Sequence, residues 1–348
     1  MSATRIATEL EVREVDVHDD DAVAAWLHVV NTADRHERGE HSTPWRLPEL
    51  LAGLREPTKH RRHHLFVGVA DDRVVASGGL GLPLLDNLSA ADIEVSVLPD
   101  LRRRGYGTRM LEVLESRARQ EGRTRFDSEV GYRYELPSDG AGVPGVEFGK
   151  RHGYGFGIGD VQRELPLPVD EALLAEIAGE AAPYHSDYEL RTFTTPFPEE
   201  HLRSYLELSS RLNTEAPTGD NEYEDEAVDL EAFRMHEARL RKQDRLAWHT
   251  VALDREGTVV GYTDLVVPEH DPDFVMQWGT LVDRTHRGHR LGLAVKIANL
   301  RAVQAAHVAD GRRLVTWNAE VNDHMIGINE RLGFRAVARG GELQKKIA

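Results

Sequence analysis

The stretch Val95-Ser96-Val97-Leu98-Pro99-Asp100-Leu101-Arg102-Arg103-Arg104-Gly105-Tyr106-Gly107-Thr108 reads as the end of a strand, a tight loop and the start of a helix. An apolar β-branched run stops at a proline and three arginines follow. Gly105-Tyr106-Gly107 then opens a segment with Met110, Leu111, Leu114 and Ala118 at helical spacing. A helix N-terminus carries unpaired N–H groups and a partial positive charge, so glycines there let backbone amides close around a phosphate oxygen. The arginines add formal positive charge. A lone Gly-x-Gly also marks an ordinary tight turn, with the arginines merely solvated.

A second copy, Thr280-Leu281-Val282-Asp283-Arg284-Thr285-His286-Arg287-Gly288-His289-Arg290-Leu291-Gly292-Leu293-Ala294, tips the balance. Val97 and Val282, Arg102 and Arg287, and Gly107 and Gly292 are each 185 positions apart. The same offset pairs Val74-Val75 with Val259-Val260, Leu80 with Leu265 and Pro83 with Pro268. A register held without a gap over roughly 35 residues marks two copies of one domain.

The chain of 348 residues has room for about two domains, each able to bury its own core. With 40% apolar and 29% charged residues it has the composition of a soluble globular protein. No apolar run approaches the roughly 20 residues that span a bilayer. The start, Met1-Ser2-Ala3-Thr4-Arg5, lacks the order of a secretory signal. A cytoplasmic protein without a membrane partner is the expectation. The absence of cysteine excludes a disulfide framework, a thiolate nucleophile and a thiolate metal site. A net charge of −16 argues against a nucleic-acid-binding face. The one dense basic cluster, Lys59-His60-Arg61-Arg62-His63-His64, precedes the apolar run Leu65-Phe66-Val67 and reads as a solvated loop beside a strand. No His-x-x-x-His with a neighbouring carboxylate sits on a clear helix face, so no metal is predicted.

Along the chain, alternation over 10–17 predicts a strand, and Asp19, Asp20 and Asp21 cap a helix with the stripe Val23, Trp26, Leu27 and Val30. A short helix over 47–54 and a hairpin over 65–69 and 74–82 lead to the opening motif. A strand over 124–130, an insertion over 131–145, a short helix over 146–152 ended by Gly153, and a strand over 161–165 complete the first unit. Pro166 and Pro168 interrupt the pattern. The expected division is therefore a first domain at 1–167, a linker helix within 168–186, and a second domain at 187–348 that repeats the order and ends on a strand over 343–347.

This β-α-α-β-β-β-α-β-α-β order, with Arg-x-x-Gly-x-Gly after the fourth strand and Gly153-Tyr154 or Gly333-Phe334 after the last helix, resembles the GNAT superfamily of acetyl-CoA-dependent N-acyltransferases. The second half is most similar to tandem members of actinobacterial type, and the two-domain layout is similar to that of mycothiol synthase. The resemblance implies an α/β (α+β) fold of two tandem GNAT-like domains, each a mixed, mostly antiparallel sheet flanked by helices. It also implies that the fourth and fifth strands splay apart to admit the thioester arm of CoA.

Carried over by position, the arm would lie along Val95 and Val97, with the pyrophosphate on Arg102, Arg103, Arg104, Gly105, Tyr106, Gly107 and Thr108. The second half would use Leu281 and Val282, then Arg287, Gly288, His289, Arg290, Leu291, Gly292 and Leu293. There Arg290 replaces the glycine at 105, and its side chain would either crowd the loop or add charge for phosphate. The resemblance places an Asn that holds the CoA arm at Asn322, and Asn329 where such enzymes often carry a tyrosine acid. The first half has Gly142 and Gly149 at these places. Neither half has the tyrosine, but a CoA thiolate is a fair leaving group without it.

An acceptor amine needs a base, and Glu94 on the fourth strand is the candidate in the first half, although strand alternation also allows it to face solvent. Its partner in the second half is Gly279; Glu320 and Asp264 are the nearest carboxylates there. The segment 213–233 carries eight acids, Asp220, Glu222 and Glu224 among them, and no lysine or arginine. As an acceptor wall it would favour a small cationic amine; as a solvated loop it would do nothing. With Asn318, Asn322 and Asn329 it points to the second half as acceptor site, whereas the first half has the better phosphate loop. The expected activity is acetyl transfer from acetyl-CoA to a small-molecule primary amine by direct attack, in a monomer or homodimer. The alternative is a non-catalytic acyl-CoA-binding or sensing protein. An ATP-binding loop is excluded, because no Lys-Ser/Thr follows Gly107 or Gly292.

Overall fold

The computed structural model of the chain describes residues 10–347. The start Met1 to Arg5, read as lacking a secretory signal, lies outside them. The first copy contains β1 (Glu11–Glu14), α1 (Asp20–Arg38), α2 (Leu47–Arg55), β2 (Arg61–Ala70), β3 (Arg73–Pro83), β4 (Ala90–Val97), α3 (Tyr106–Gln120), β5 (Arg125–Arg133), α4 (Pro144–Arg151) and β6 (Gly155–Pro166). After α5 (Glu171–Ala181) the order returns as β7 (Glu189–Thr194), α6 (Glu199–Ser209), α7 (Leu212–Glu215), α8 (Leu230–Lys242), β8 (Arg245–Leu253), β9 (Val259–Pro268), β10 (Phe274–Val282), α9 (Leu291–Ala305), β11 (Arg313–Ala319), α10 (Asp323–Leu332) and β12 (Arg335–Lys346). Among the described residues no helix is long and apolar enough to cross a membrane.

Two compact units result, one of residues 10–157 with 340–347, the other of residues 158–339. Each is a mostly antiparallel sheet flanked by helices, as the resemblance implies. The division differs from cuts at 167 and 187 because each copy gives up its last strand. From residue 158 onward β6 pairs with β11, Leu165 opposite Leu314 and Val161 opposite Asn318. The end of β12 completes the first unit, where Leu343 joins the core and the Gln344 amide donates to Asp127 of β5 at 2.9 Å. The expected linker helix is likewise no free linker: Leu174, Ile177 and Ala181 of α5 are buried with Leu300 and Phe334 in the second unit's core.

In the first unit the sheet runs β1-β2-β3-β4-β5. Its core packs Leu80, Ile93 and Phe126 of the strands against Met110 and Leu114 of α3. On the other side α1 begins where Asp19 accepts from the Ala22 N–H at 3.0 Å, and it buries Val23, Trp26 and Leu27. Trp26 Nε1 also donates to the Gly78 carbonyl at 2.8 Å, tying α1 to β3. The second unit runs β11-β10-β9-β8-β7, with Leu265, Val275, Ile297 and Leu314 at its centre.

Both units open at the same place. The parallel pairing of β4 with β5 extends only from Ala90–Arg125 to Asp92–Asp127, while β4 stays paired with β3 as far as Val97. Likewise β10 and β11 pair from Phe274–Arg313 to Met276–Val315, while β10 follows β9 to Val282. Beyond those last pairs the two strands no longer bond to each other, so the edges that face each other across each V lose their ladder partner.

Candidate active site

At the mouth of each V a left-handed residue turns the chain into the helix: Gly105 at φ +88° before α3, and Arg290 at φ +53° before α9. Glycine enters this region freely, whereas a side chain makes it costly. The first helical bonds run from the Arg109 N–H to the Gly105 carbonyl and from the Ala294 N–H to the Arg290 carbonyl, both at 3.0 Å. The amides of 106–108 and 291–293 thus have no partner within their helices and offer a cradle for an anion.

The arginines behave differently from expectation. Arg102 Nε donates to the Val97 carbonyl at 3.2 Å, and its guanidinium pairs with Glu37 of α1. Arg287 repeats this, with Nε on the Val282 carbonyl at 3.2 Å and Nη2 on Glu215 at 2.6 Å. These side chains brace the loop against strand and helix rather than point to a phosphate. In the second unit the bracing is more complete. The buried Glu215 carboxylate also takes Arg284 at 3.1 Å and Arg211 at 3.2 Å. Thr285 bonds Asp283 through its hydroxyl and N–H, and with Arg211 at 2.7 Å it holds the Asp283 carboxyl well below its usual range. Arg290 neither crowds its loop nor waits for phosphate: Nη1 donates to the Glu180 carbonyl at 2.9 Å, and the guanidinium stacks 4.1 Å from the Tyr184 ring. His289 Nδ1 lies 3.0 Å from the Tyr184 carbonyl. In the first loop, by contrast, Arg103 and Arg104 are exposed and make no ion pair among the described residues.

Glu94 lies on β4 just past the last pair with β5. Ile93 faces the core, so Asp92 and Glu94 share the opposite face, and Asp127 and Glu129 alternate with the buried Phe126 in the same way on β5. Three of these carboxylates have cations: Arg61 on Asp92, Arg125 on Asp127 at 3.2 Å and Arg38 on Glu129 at 3.2 Å. Glu94 has none among the described residues. Its side chain is exposed on the strand face, beside the carboxylates of its neighbours. Desolvation, then the charges of Glu129 and Asp92, raise its pKa against the pull of Arg61. Desolvation raises Asp92 and Asp127 too, against Arg61 and Arg125 respectively. Gly79 stands opposite Glu94, and a Cβ there would lie 3.4 Å from Glu94 Oε2.

The second unit is built otherwise. A Cβ at Gly279, the position of Glu94, would lie 2.7 Å from the Tyr262 hydroxyl, and β10 bulges between Gln277 and Thr280. Asp264 is buried and accepts from the Tyr205 hydroxyl at 2.7 Å, with His249 Nδ1 2.8 Å away. Glu320 is paired with Arg339. Asn322 caps α10, accepting from the Met325 N–H at 3.2 Å. Asn329 is buried and donates to Asn318 Oδ1 at 2.6 Å, leaving its own Oδ1 without a partner. Leu281 is buried in the second unit, and Val282 packs beside Leu291. Asp220, Glu222 and Glu224 are exposed on the stretch between α7 and α8. Asp244, Glu269 and His270 bring ligand atoms within 4.8 Å of one another, all on exposed side chains.

Sequence reading missed the carboxylates around Glu94, although i, i+2 spacing on adjacent strands signals them. It also missed Lys296, a lysine four residues after Gly292 that is only 2% exposed.

Residues 26–134 match the acetyltransferase (GNAT) family. No curated protein matches the chain. Among solved structures it is similar to a tandem GNAT protein from the clavulanic acid biosynthesis pathway, at 28% identity over 97% of this chain and 98% of that one, with a TM-score of 0.74. A GCN5-related N-acetyltransferase from Sphaerobacter thermophilus is 15% identical over 97% of this chain and 95% of its own, with a TM-score of 0.64. The glucosamine N-acetyltransferase region of a fungal multi-domain β-N-acetylglucosaminidase is 15% identical over 97% of this chain and 38% of its own, with a TM-score of 0.63. The last two likenesses are of fold alone.

Proposed function

From a tandem GNAT architecture whose residues 26–134 match the acetyltransferase family, we propose that the chain moves an acetyl group from acetyl-CoA to a primary amine of a small cationic molecule, in its first unit. Acyl-CoA-dependent acetyl transfer is the general activity of that family. The donor fits the first unit: the amides of 106–108 and the free Arg103 and Arg104 would hold its phosphates, and the unpaired edge of β4 at Val95 and Val97 its arm. When bound, acetyl-CoA supplies an activated thioester.

The chain's part is to bring an amine to that thioester and take its proton. Glu94 is the base in this reading, and the observation that carries it is a carboxylate without a cation at the V, its pKa raised towards working pH. With Asp92, Asp127 and Glu129 each matched by an arginine, the unmatched charge of Glu94 leaves this face net negative, which favours a cationic acceptor over an anionic one. Gly279 in place of a carboxylate supports a non-catalytic role in amine transfer for the second unit.

The test is thiol release from acetyl-CoA with a panel of polyamines, basic amino-acid derivatives and acidic amines. Glu94→Gln should lower kcat by about 100-fold on the best acceptor. An unchanged kcat would remove Glu94 from the mechanism, and turnover confined to acidic amines would overturn the acceptor class.

A further inference from the structure

We infer that Lys296 is an acyl acceptor built into the second unit, its Nζ taking an acetyl group from acetyl-CoA seated in that unit's own V. The inference rests on acetyl-CoA being the donor, as proposed above, but not on Glu94.

Gly292, Lys296 and Leu300 follow one another at i, i+4 and i+8 and so share one face of α9. A Cβ at Gly292 would lie 3.5 Å from Ile328 of α10 and 3.7 Å from Val282 of β10, so this face looks onto the mouth of the V. From its loop α9 runs back towards the paired ends of β10 and β11, which sets Lys296 about 6 Å deeper than Gly292. Its Nζ lies 5.9 Å from the centre of the Phe334 ring. The matching position of the first unit is Leu111, a core residue. Hydrocarbon suits the place, and a lysine there calls for a reason.

Lys296 is 2% exposed and has no hydrogen bond or ion pair among the described residues. An ammonium in such surroundings is costly, and desolvation alone pushes its pKa down to about 7. About half of the side chain is then a neutral, nucleophilic amine at neutral pH. Asn329 Oδ1 is a second buried polar atom without a partner, on a side chain bonded to Asn318 just beyond the last β10–β11 pair.

The step is balanced without an outside reagent. Nζ attacks the thioester carbonyl carbon, a C–N bond forms as the C–S bond breaks, and the departing thiolate recovers the proton that nitrogen loses. A neutral amine needs no external base, which agrees with Gly279 at the place where the first unit has Glu94. The product amide carries no charge, so the modification removes the unpaired buried cation.

The full chain is incubated with acetyl-CoA and its acetylated lysines are located and timed by peptide mass spectrometry, in wild type, Glu94→Gln and Gly292→Trp. Acetylation of Lys296 should outpace that of the exposed Lys150, Lys242 and Lys346 by at least about tenfold. It should persist in Glu94→Gln, and should fall by a similar factor in Gly292→Trp or in wild type with excess desulfo-CoA, which needs no substitution. Lys296 left unmodified, marked no faster than the exposed lysines, or marked at a rate indifferent to desulfo-CoA would overturn the inference. Thiol release to free amines is read separately, so either proposal can fail alone.

Discussion

At the residue scale two desolvated groups set opposite pH dependences. Glu94 has a folded pKa above its unfolded value, so its protonated form favours the fold at low pH, and that contribution is lost as pH rises through the raised value. Activity should rise through the same window, because the base must be ionised. A kcat/KM profile should therefore show an acid limb above the ordinary glutamate range, and Glu94→Gln should abolish that limb while melting slightly higher at neutral pH. Lys296 has the reverse sign. Its folded pKa, about 7, lies below the unfolded 10.5, so folding is unhindered above the unfolded value and becomes costlier as pH falls towards 7. Lys296→Met should stabilise the chain by on the order of a few kcal/mol near neutral pH, with the gain shrinking towards pH 10 in denaturant melts.

At the element scale the loop–helix junctions divide into what neighbours in sequence decide and what distant partners decide. Strand, loop and helix were legible because periodicity and the Gly-x-Gly are local signals, and the 185-residue register showed each junction twice. Where the arginines point was not legible, because Glu37, Glu215, Glu180 and Tyr184 lie far away in the chain. Nor does a sequence show that Arg290 takes up the left-handed turn that Gly105 makes freely. Glu215 is the centre of the second junction, and Glu215→Ala would leave Arg211, Arg284 and Arg287 crowded together. The expected cost is about 1–3 kcal/mol by urea unfolding, with a partial return at high salt, which screens their repulsion. A loss indifferent to salt would mean that packing, not charge, is what Glu215 provides.

At the scale of the whole molecule, alternation tells which residues of a strand face inward but not which strand lies beside it. The strands at 161–165 and 343–347 were therefore legible as strands and misassigned as to unit. Residues 340–347 close the first unit although they are the end of the second copy, and α5 is core rather than tether. Truncation after residue 339 should thus weaken acetyl-CoA binding to the first loop, read by calorimetry, more than removal of a loose tail would; unchanged affinity would show that β12 is dispensable there. Halves cut between 167 and 187 should each be incomplete and should recover solubility only when expressed together. The exchange also bears on synthesis. Residues 340–347 are made only after all of residues 158–339, so the unit whose sequence comes first cannot be finished before the second has been synthesised, and until then its β5 side stands open to any strand that meets it.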